Sequence, residues 1–586
     1  GTKADSIRLR ITSDATALNY ALSTAEVSNP TIRFENMSLN GNIRQDVIAF
    51  QLSTAKDDSI KLLALGGTLT NIKNGSHELK LNRELTLNSQ AWTVDAGNYL
   101  QIVPEGLIAH ALNLTNGPQA INVNSESKTA AAPLKLDFVK FDLSTISHML
   151  ENKKELVKGE VDGTVTLEKH EKGSAFSSDV TVSNFVFQSV PIGTVKLKAN
   201  NRESAQLYDI NLDVSGSGNN MSVNGKYNVA NKESALNFIL DIKSLNMKTI
   251  EPFTFGQVTR MSGSVDGRLA IKGGVKTPDL NGNLHFKESA LNPKFIDSYL
   301  KIPDGNLAFE NHNVILRDFT ILDSLDHKAV LSGSVNIKDL TNPDLNLRLK
   351  SEDFLALNTT KQNNPLYFGT VFLNSDISIR GQVNAPVIKA KMRLNKGSEI
   401  TYVKPESQVG KEENKGIVEF VDSLNTKKTI MTRKNDTTEQ VTMMKGIDLD
   451  ASITFDKEVQ LKMLVDQQSG DSLFIVGGGT LNFTLDKSGK TTLTGKYRIE
   501  DGGYHLTISE VVQRDFRIEP GSSVTWSGDI LDAYVDIKAI YTIKTSPIDL
   551  IQNDLAGVDE LERNKYRNML TFLVYLKMNG FLSSPE

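Results

Sequence analysis

Apolar and polar residues alternate over short runs along most of the chain, and glycines mark the runs. From Met261 to Phe286, Gly263 and Gly267 precede Leu269 and Ile271, which alternate with small or polar neighbours. Turns are predicted at Gly273-Gly274 and at Thr277-Pro278-Asp279. Gly282 then precedes Leu284 and Phe286, alternating with Asn283 and His285. Alternation sends successive side chains to opposite faces of a strand, so each run has one apolar face and one wet one. Glycine at the head of such a run predicts a sharp bend or a close backbone approach. The unit is strand, turn, strand, with a one-sided apolar surface.

A five-residue signature, glycine, small or polar, apolar, variable, apolar, recurs in ten copies. Besides the runs after Gly267 and Gly282, copies begin at Gly163, Gly193, Gly225, Gly305, Gly333, Gly369, Gly479 and Gly495. One copy fits any all-β protein. Ten predict a chain built by repetition, each unit pairing mainly with its neighbours. The copies are unevenly spaced, which disfavours a β-helix or propeller. The two tryptophans, Trp92 and Trp526, and 7% aromatics argue against an outer-membrane barrel with aromatic girdles.

Four stretches follow. Residues 1–157 read as a first part of the repeat array, with strands at Ile7–Ile11, Ile32–Phe34, Ile48–Leu52, Leu79–Leu81 and Leu134–Phe138. A short amphipathic helix capped by Ser144 is predicted from there to Leu156. Residues 158–403 carry the densest repeats, interrupted by a brief helix or turn at Met247–Phe255. Residues 404–446 are rich in Lys, Glu, Asn, Thr and Ser and read as a polar loop or partly disordered insertion. In 447–586 strands resume to Tyr541, a helical or irregular excursion follows at Pro547–Arg567, and Leu570–Leu576 forms the last strand. The first residue, Gly1, and the closing Ser584-Pro585-Glu586 suggest a fragment.

Charge and composition narrow the functions. Lys plus Arg total 65 against 70 Asp plus Glu, a net charge of -5. No basic surplus exists to neutralise a phosphate backbone, so nucleic acid is not an expected partner. The absence of cysteine removes disulfides, thiolate catalysis and cysteine-held metals. The eight histidines are scattered, so no metal site is expected. Gly477-Gly-Gly479 lacks the Lys-Ser/Thr of a phosphate loop, and Gly216-Ser-Gly218 lacks the third glycine of a dinucleotide fingerprint. No catalytic constellation or cofactor site emerges, and the chain is expected not to be an enzyme. The apolar run Met569–Leu576 is far shorter than the roughly 18 residues of a spanning helix.

A long apolar face has to be covered. Pairing two sheets covers it, as in an elongated β-sandwich adhesin or structural protein. Curling one sheet into a U also covers it, and leaves a groove. Periodicity does not separate the two. On the groove reading, the lining candidates are Leu269, Ile271, Leu284, Phe286, Leu307, Phe309, Val335, Ile337, Leu481 and Phe483, by their shared phase to the signature glycines. Leu570, Phe572, Val574 and Leu576 on the last strand are candidates for partner docking by strand addition.

The C-terminal segment resembles the TamB (translocation and assembly module) family. The matching residues are Gly495-Lys-Tyr497, Gly502-Gly-Tyr504, Phe516-Arg-Ile518, Gly521-Ser522, Trp526-Ser-Gly528-Asp529, Ala533, Ile537, Ala539 and Tyr541. Leu245–Phe286 is similar to the AsmA-like repeat of bridge-like lipid transfer proteins, and Leu345–Met392 repeats it more loosely. The resemblance runs from about residue 240 onward. It implies an all-β, elongated curled antiparallel or mixed sheet (a β-taco) with an apolar groove and a few short helices. It also implies a periplasmic protein of a Gram-negative envelope, anchored in the inner membrane by a segment outside this sequence. The implied partners are phospholipid acyl chains, the inner and outer membranes and a BamA-type (TamA-like) outer-membrane barrel. The implied roles are phospholipid movement between the membranes, outer-membrane protein assembly and secretion.

Overall fold

A computed structural model describes residues 3–28, 33–55, 61–72, 75–130, 132–147, 156–170, 173–403, 446–464, 470–508, 512–529, 532–551, 557, 559–581 and 584–585. The fold class expected from the sequence holds: the protein is nearly all β, 74% strand and 3% helix, with its strands in a curled sheet. Contacts divide it into two units. The first comprises residues 1–289, 304–314 and 338–340, and the second 290–303, 315–337 and 341–586.

In the first unit, each strand from Leu112–Asn116 up to Leu236–Asn246 pairs antiparallel with the next, ending at Val258–Gly273. Short turns make this the natural outcome of alternating runs. The pairing is bent at recurrent places. Register shifts fall between Phe138 and Phe141, Lys158 and Glu160, Val182 and Phe185, and Ile242 and Leu245. An extra residue on one strand kinks it and raises its twist. Neighbouring strands bulge near the same level, so the sheet folds along a crease. Where the apolar face meets itself, Trp92, wholly buried, packs with Leu85, Val94, Phe141 and Val161. The rings of Trp92 and Phe141 are 6.1 Å apart.

The second unit repeats the device. Lys328–Asn336, Asp344–Thr359, Tyr367–Gln382 and Val387–Leu394 pair antiparallel in order. Glu399–Val403 continues the last of these along Tyr367–Gln382. Asp448–Leu464 then lies parallel to both short strands, which makes the sheet mixed. Antiparallel pairing resumes through Ser472–Leu485 and Thr491–Ile508 to Leu570–Phe581. Register shifts at Ser351/Phe354, Phe455/Val459 and Val476/Gly477 set the crease. Its outer side is stitched by polar side chains. Asn374 Oδ1 accepts the Asp353 backbone N–H at 2.7 Å, Asn395 Nδ2 donates to Asp353 Oδ1 at 2.8 Å, and Arg393 Nε donates to Asp456 Oδ1 at 2.7 Å. Two buried clusters lie inside, around Val459 and around Tyr497, Ile499 and Ile518.

Two expectations change in detail. The signature glycines do not open strands: Gly163, Gly225, Gly267, Gly333 and Gly479 sit inside them. A Cβ at Gly479 would stand 2.1 Å from the Lys496 carbonyl oxygen, and one at Gly267 would stand 2.2 Å from that of Asn283. Close approach between paired backbones, rather than a strand start, is what glycine provides. The turns expected on either side of Val275 are a single connection between Val258–Gly273 and Pro278–Pro293. Of the helix expected from Ser144, Ser144–Ser147 is helical and residues 148–155 lie outside the described residues. Met247–Phe255 forms two 3-10 turns, Met247–Thr249 and Glu251–Thr254. The excursion before the last strand contains the 3-10 turn Pro547–Asp549 and helix Glu560–Lys565. The polar insertion lies outside the described residues as far as Lys445.

Candidate functional site

Directly opposed residues share a face of the sheet, so the register shows which side chains line up. In the first unit, Ile121 faces Phe138, Phe138 faces Gly163, and Gly163 faces Val180. The line continues through Leu197, Leu212, Val223 and Leu240 to Leu269. Ile271 faces Phe238 on the same side. Leu269 is 5% exposed, whereas Ile121, Phe138, Val180, Leu212, Val223 and Leu240 are half-buried and Leu197 is exposed. A second packed sheet would seal most of these positions; here an apolar line stays open to solvent.

Leu284, Phe286, Leu307 and Phe309 are also half-buried and lie in the first unit. Their sequence neighbours mark the opposite, wet face. His285 contacts Asp266 at 3.4 Å and also bonds to Asp304, and Lys287 Nζ lies 2.9 Å from Asp266. The Lys287 hydrogen bond, the largest influence on it, holds the Asp266 carboxyl below its ordinary pKa.

The second unit brings Phe483 and Leu481 onto a comparable face. Leu331 faces Leu349, Leu349 faces Ile377, Ile377 faces Ala390, Ala390 faces Ala451, and Ala451 faces Phe483. Leu481 faces Ile453 and Gly495. Val335 faces Leu345, while Ile337 falls one residue beyond strand Lys328–Asn336; both are half-buried. On the reverse face, Arg348 grips Asp376 in a two-pronged bond of 2.8 and 2.6 Å, which lowers the Asp376 pKa. Ala390 and Ala451, 6% and 2% exposed, are the small, buried members of this line.

Strand Leu570–Phe581 differs from all of these. Leu570, Val574 and Leu576 are 43–51% exposed and Phe572 is half-buried, on the face shared with Ala539, Tyr541 and Ile543. The sequence reading missed the other face, where Leu573 and Tyr575 are 52% and 56% exposed. The signal was there: Phe572–Leu576 is a continuous apolar run rather than an alternating one. Beyond its pairing with Tyr534–Thr545, only Gly580 and Phe581 have a second strand partner among the described residues.

No group of three or more His, Asp or Glu side chains converges as a metal site among the described residues. No described helix is long and apolar enough to cross a membrane.

Serial strand pairing with one apolar, partly solvent-reached face defines a repeat β-protein. Residues 112–286 match the N-terminal domain of TamB and residues 317–586 match the TamB C-terminal domain. The chain belongs to the TamB family. No curated protein and no solved structure matches it. The family is non-enzymatic, belongs to the bacterial envelope, and serves lipid transport or outer-membrane protein assembly together with the outer-membrane assembly machinery.

Proposed function

We propose that the apolar face in each unit is a lipid groove, and that the protein conducts phospholipid acyl chains through the periplasm between inner and outer membranes. The observation that carries this reading is the half-buried apolar line running strand to strand in register. An apolar surface in that state has neither the burial of a core nor the polarity of a free surface, and acyl chains complete it. Leu269, Ile271, Leu284, Phe286, Leu307 and Phe309 line it in the first unit, and Val335, Ile337, Leu481 and Phe483 in the second. The elongated adhesin reading requires these positions to be sealed by a second sheet; Leu269 and Leu481 are buried, and the half-buried state of the other eight weighs against it. The test is native mass spectrometry of the purified chain, with photo-crosslinkers at Leu284 and Phe483 and outer-face controls at Lys287 and Thr484. Phospholipid adducts at the first pair alone support the groove; equal labelling of both pairs, or none, refutes it.

A second reading concerns assembly. Strand Leu570–Phe581 offers main-chain groups along one edge and apolar side chains on both faces. We propose that it docks a BamA-type, TamA-like barrel by strand addition, a mode in which backbone bonds give affinity and side-chain pockets give register. This would place the protein in outer-membrane protein assembly and secretion while the groove serves lipid. Crosslinking in cells from Thr571 and Val574 tests it.

A further inference from the structure

The excursion Asn246–Arg260 in the first unit is fixed in place yet presents bare aromatic rings. Its inner side is anchored by Asn219, 4% exposed. The Asn219 amide donates to the Ile192 carbonyl at 2.8 Å and to Thr249 Oγ1 at 2.9 Å, and its Oδ1 accepts the Asn246 N–H at 2.9 Å. Met247 and Pro252 are buried. Glu251, the one acidic side chain of the excursion, accepts the Met261 N–H at 2.9 Å. So tied, the segment reaches back from strand Leu236–Asn246 to strand Gly173–Phe187, where Phe253 stacks on Phe187 with centroids 5.0 Å apart. It thereby forms a rim at the end of the strand that carries Val180 of the apolar line.

What the rim exposes is unusual for this chain. Phe255 is 86% exposed, the most exposed large apolar side chain described, and Phe253 is 59% exposed. Phe255 also holds a left-handed backbone, φ 52 and ψ 34. Among the described non-glycine residues with positive φ, it is the only aromatic carbocycle; most others are Asn, Asp, Ser, Gln or Glu. A bulky residue in that region stores strain, and stored strain with full exposure of an apolar ring points to a role outside folding. In sequence Lys248 and Arg260 flank the rings, both exposed and without an ion pair to another described residue. Aromatic rings beside free cations suit the boundary between acyl chains and anionic headgroups.

We infer that this rim is a headgroup station for anionic phospholipid, where Lys248 and Arg260 take the phosphate while Phe253 and Phe255 sit at the glycerol level. The inference rests on the lipid-groove reading and adds a place and a selectivity to it. The probes are vesicles of phosphatidylcholine with or without phosphatidylglycerol, carrying a trace of fluorescent phosphatidylglycerol or phosphatidylcholine. Extraction by the purified chain is measured after separation from the vesicles. Phe253→Ala with Phe255→Asn keeps a residue that tolerates the left-handed turn, and slows extraction of both lipids about tenfold. Lys248→Gln with Arg260→Asn slows phosphatidylglycerol alone, by about fivefold per charge. Thermal melts of both variants, expected within a few degrees of the parent, separate these effects from unfolding. Variants that extract both lipids at the parent rate and preference overturn the headgroup station and leave the groove standing. A parent chain that extracts neither lipid overturns the groove reading, and this inference with it.

Discussion

Replacing Phe483 by Asp separates an open groove from a sealed core. Phe483 is half-buried, facing Ala451, which is 2% exposed, and half-buried Leu493. Full burial of such a ring contributes about 1.5–3 kcal/mol, so a half-buried ring lost to Asp should cost about 1–2 kcal/mol of stability. In an open groove the new carboxylate reaches water, and no further penalty follows. Under acyl chains the same charge costs several kcal/mol, roughly a hundredfold or more in lipid occupancy at that position. Between two packed sheets that penalty would instead fall on folding. Urea denaturation and phosphorus analysis of co-purified lipid, run side by side, read the two quantities. Thr484→Asp, exposed on the reverse face and bonded to Thr492 through its hydroxyl, should change neither much. Stability reduced by 4 kcal/mol or more in Phe483→Asp would refute the open face, and unchanged lipid content would refute the conduit.

Gly479→Ala should destabilise the second unit by about 2–4 kcal/mol, because its Cβ would stand 2.1 Å from the Lys496 carbonyl oxygen. Gly521→Ala should cost only about 1 kcal/mol, the expense of φ 90 with no atom within 4 Å of the added Cβ; hydrogen exchange compares the two. Tyr497→Phe should raise the melting temperature, since the hydroxyl of this 2%-exposed residue has no hydrogen-bond partner among the described residues and its removal relieves about 1–2 kcal/mol. Burial also pushes the Tyr497 pKa well above the ordinary phenol value, so an ultraviolet titration should find this tyrosine un-ionised after exposed ones have titrated. Photo-crosslinkers at Val574 and Tyr575 should both capture an outer-membrane barrel in cells, and adducts from neither would remove strand Leu570–Phe581 as the docking edge.

Alternation made the strands legible, because a period of two has one physical cause. It also set the phase of Leu269 against Arg268 and of Leu284 against His285, which the outward contacts of His285 match. Glycine was legible as backbone proximity but misplaced, since a long strand carries its glycine where the neighbour crosses, not where the strand begins. The crease was not legible. A bulge adds one residue and looks like lost alternation, as at Glu352-Asp353, where Asp353 takes φ 47. Parallel pairing of Asp448–Leu464 with Val387–Leu394 was hidden too, because it depends on register across a long stretch with no periodic signal. The anchoring of the 247–255 segment hangs on Asn219, which no local pattern distinguishes from any turn asparagine.

The bulges imply a strict requirement on chain length within each long strand. Before the crease, Leu345, Leu347 and Leu349 point to the apolar side; after it, Phe354 and Leu357, each 8% exposed, serve a buried cluster or its margin. Phe354 faces inward because Glu352 and Asp353 oppose the single residue Asn374, and a second shift between Leu355 and Leu357 brings Leu357 to the same side. Deleting Asp353 would restore simple alternation and send one set to the wet face, since a one-residue slip inverts every side chain beyond it. The deletion also removes the Asn374 and Asn395 bonds that stitch the outer side. Asp353→Gly keeps the count and the left-handed turn, losing the Asn395 bond and a 3.9 Å contact with His327, so it should cost about 1 kcal/mol. The deletion should abolish the cooperative urea transition of the second unit. Equal transitions for deletion and substitution would mean that curvature comes from side-chain packing around Val459 rather than from residue count at the crease.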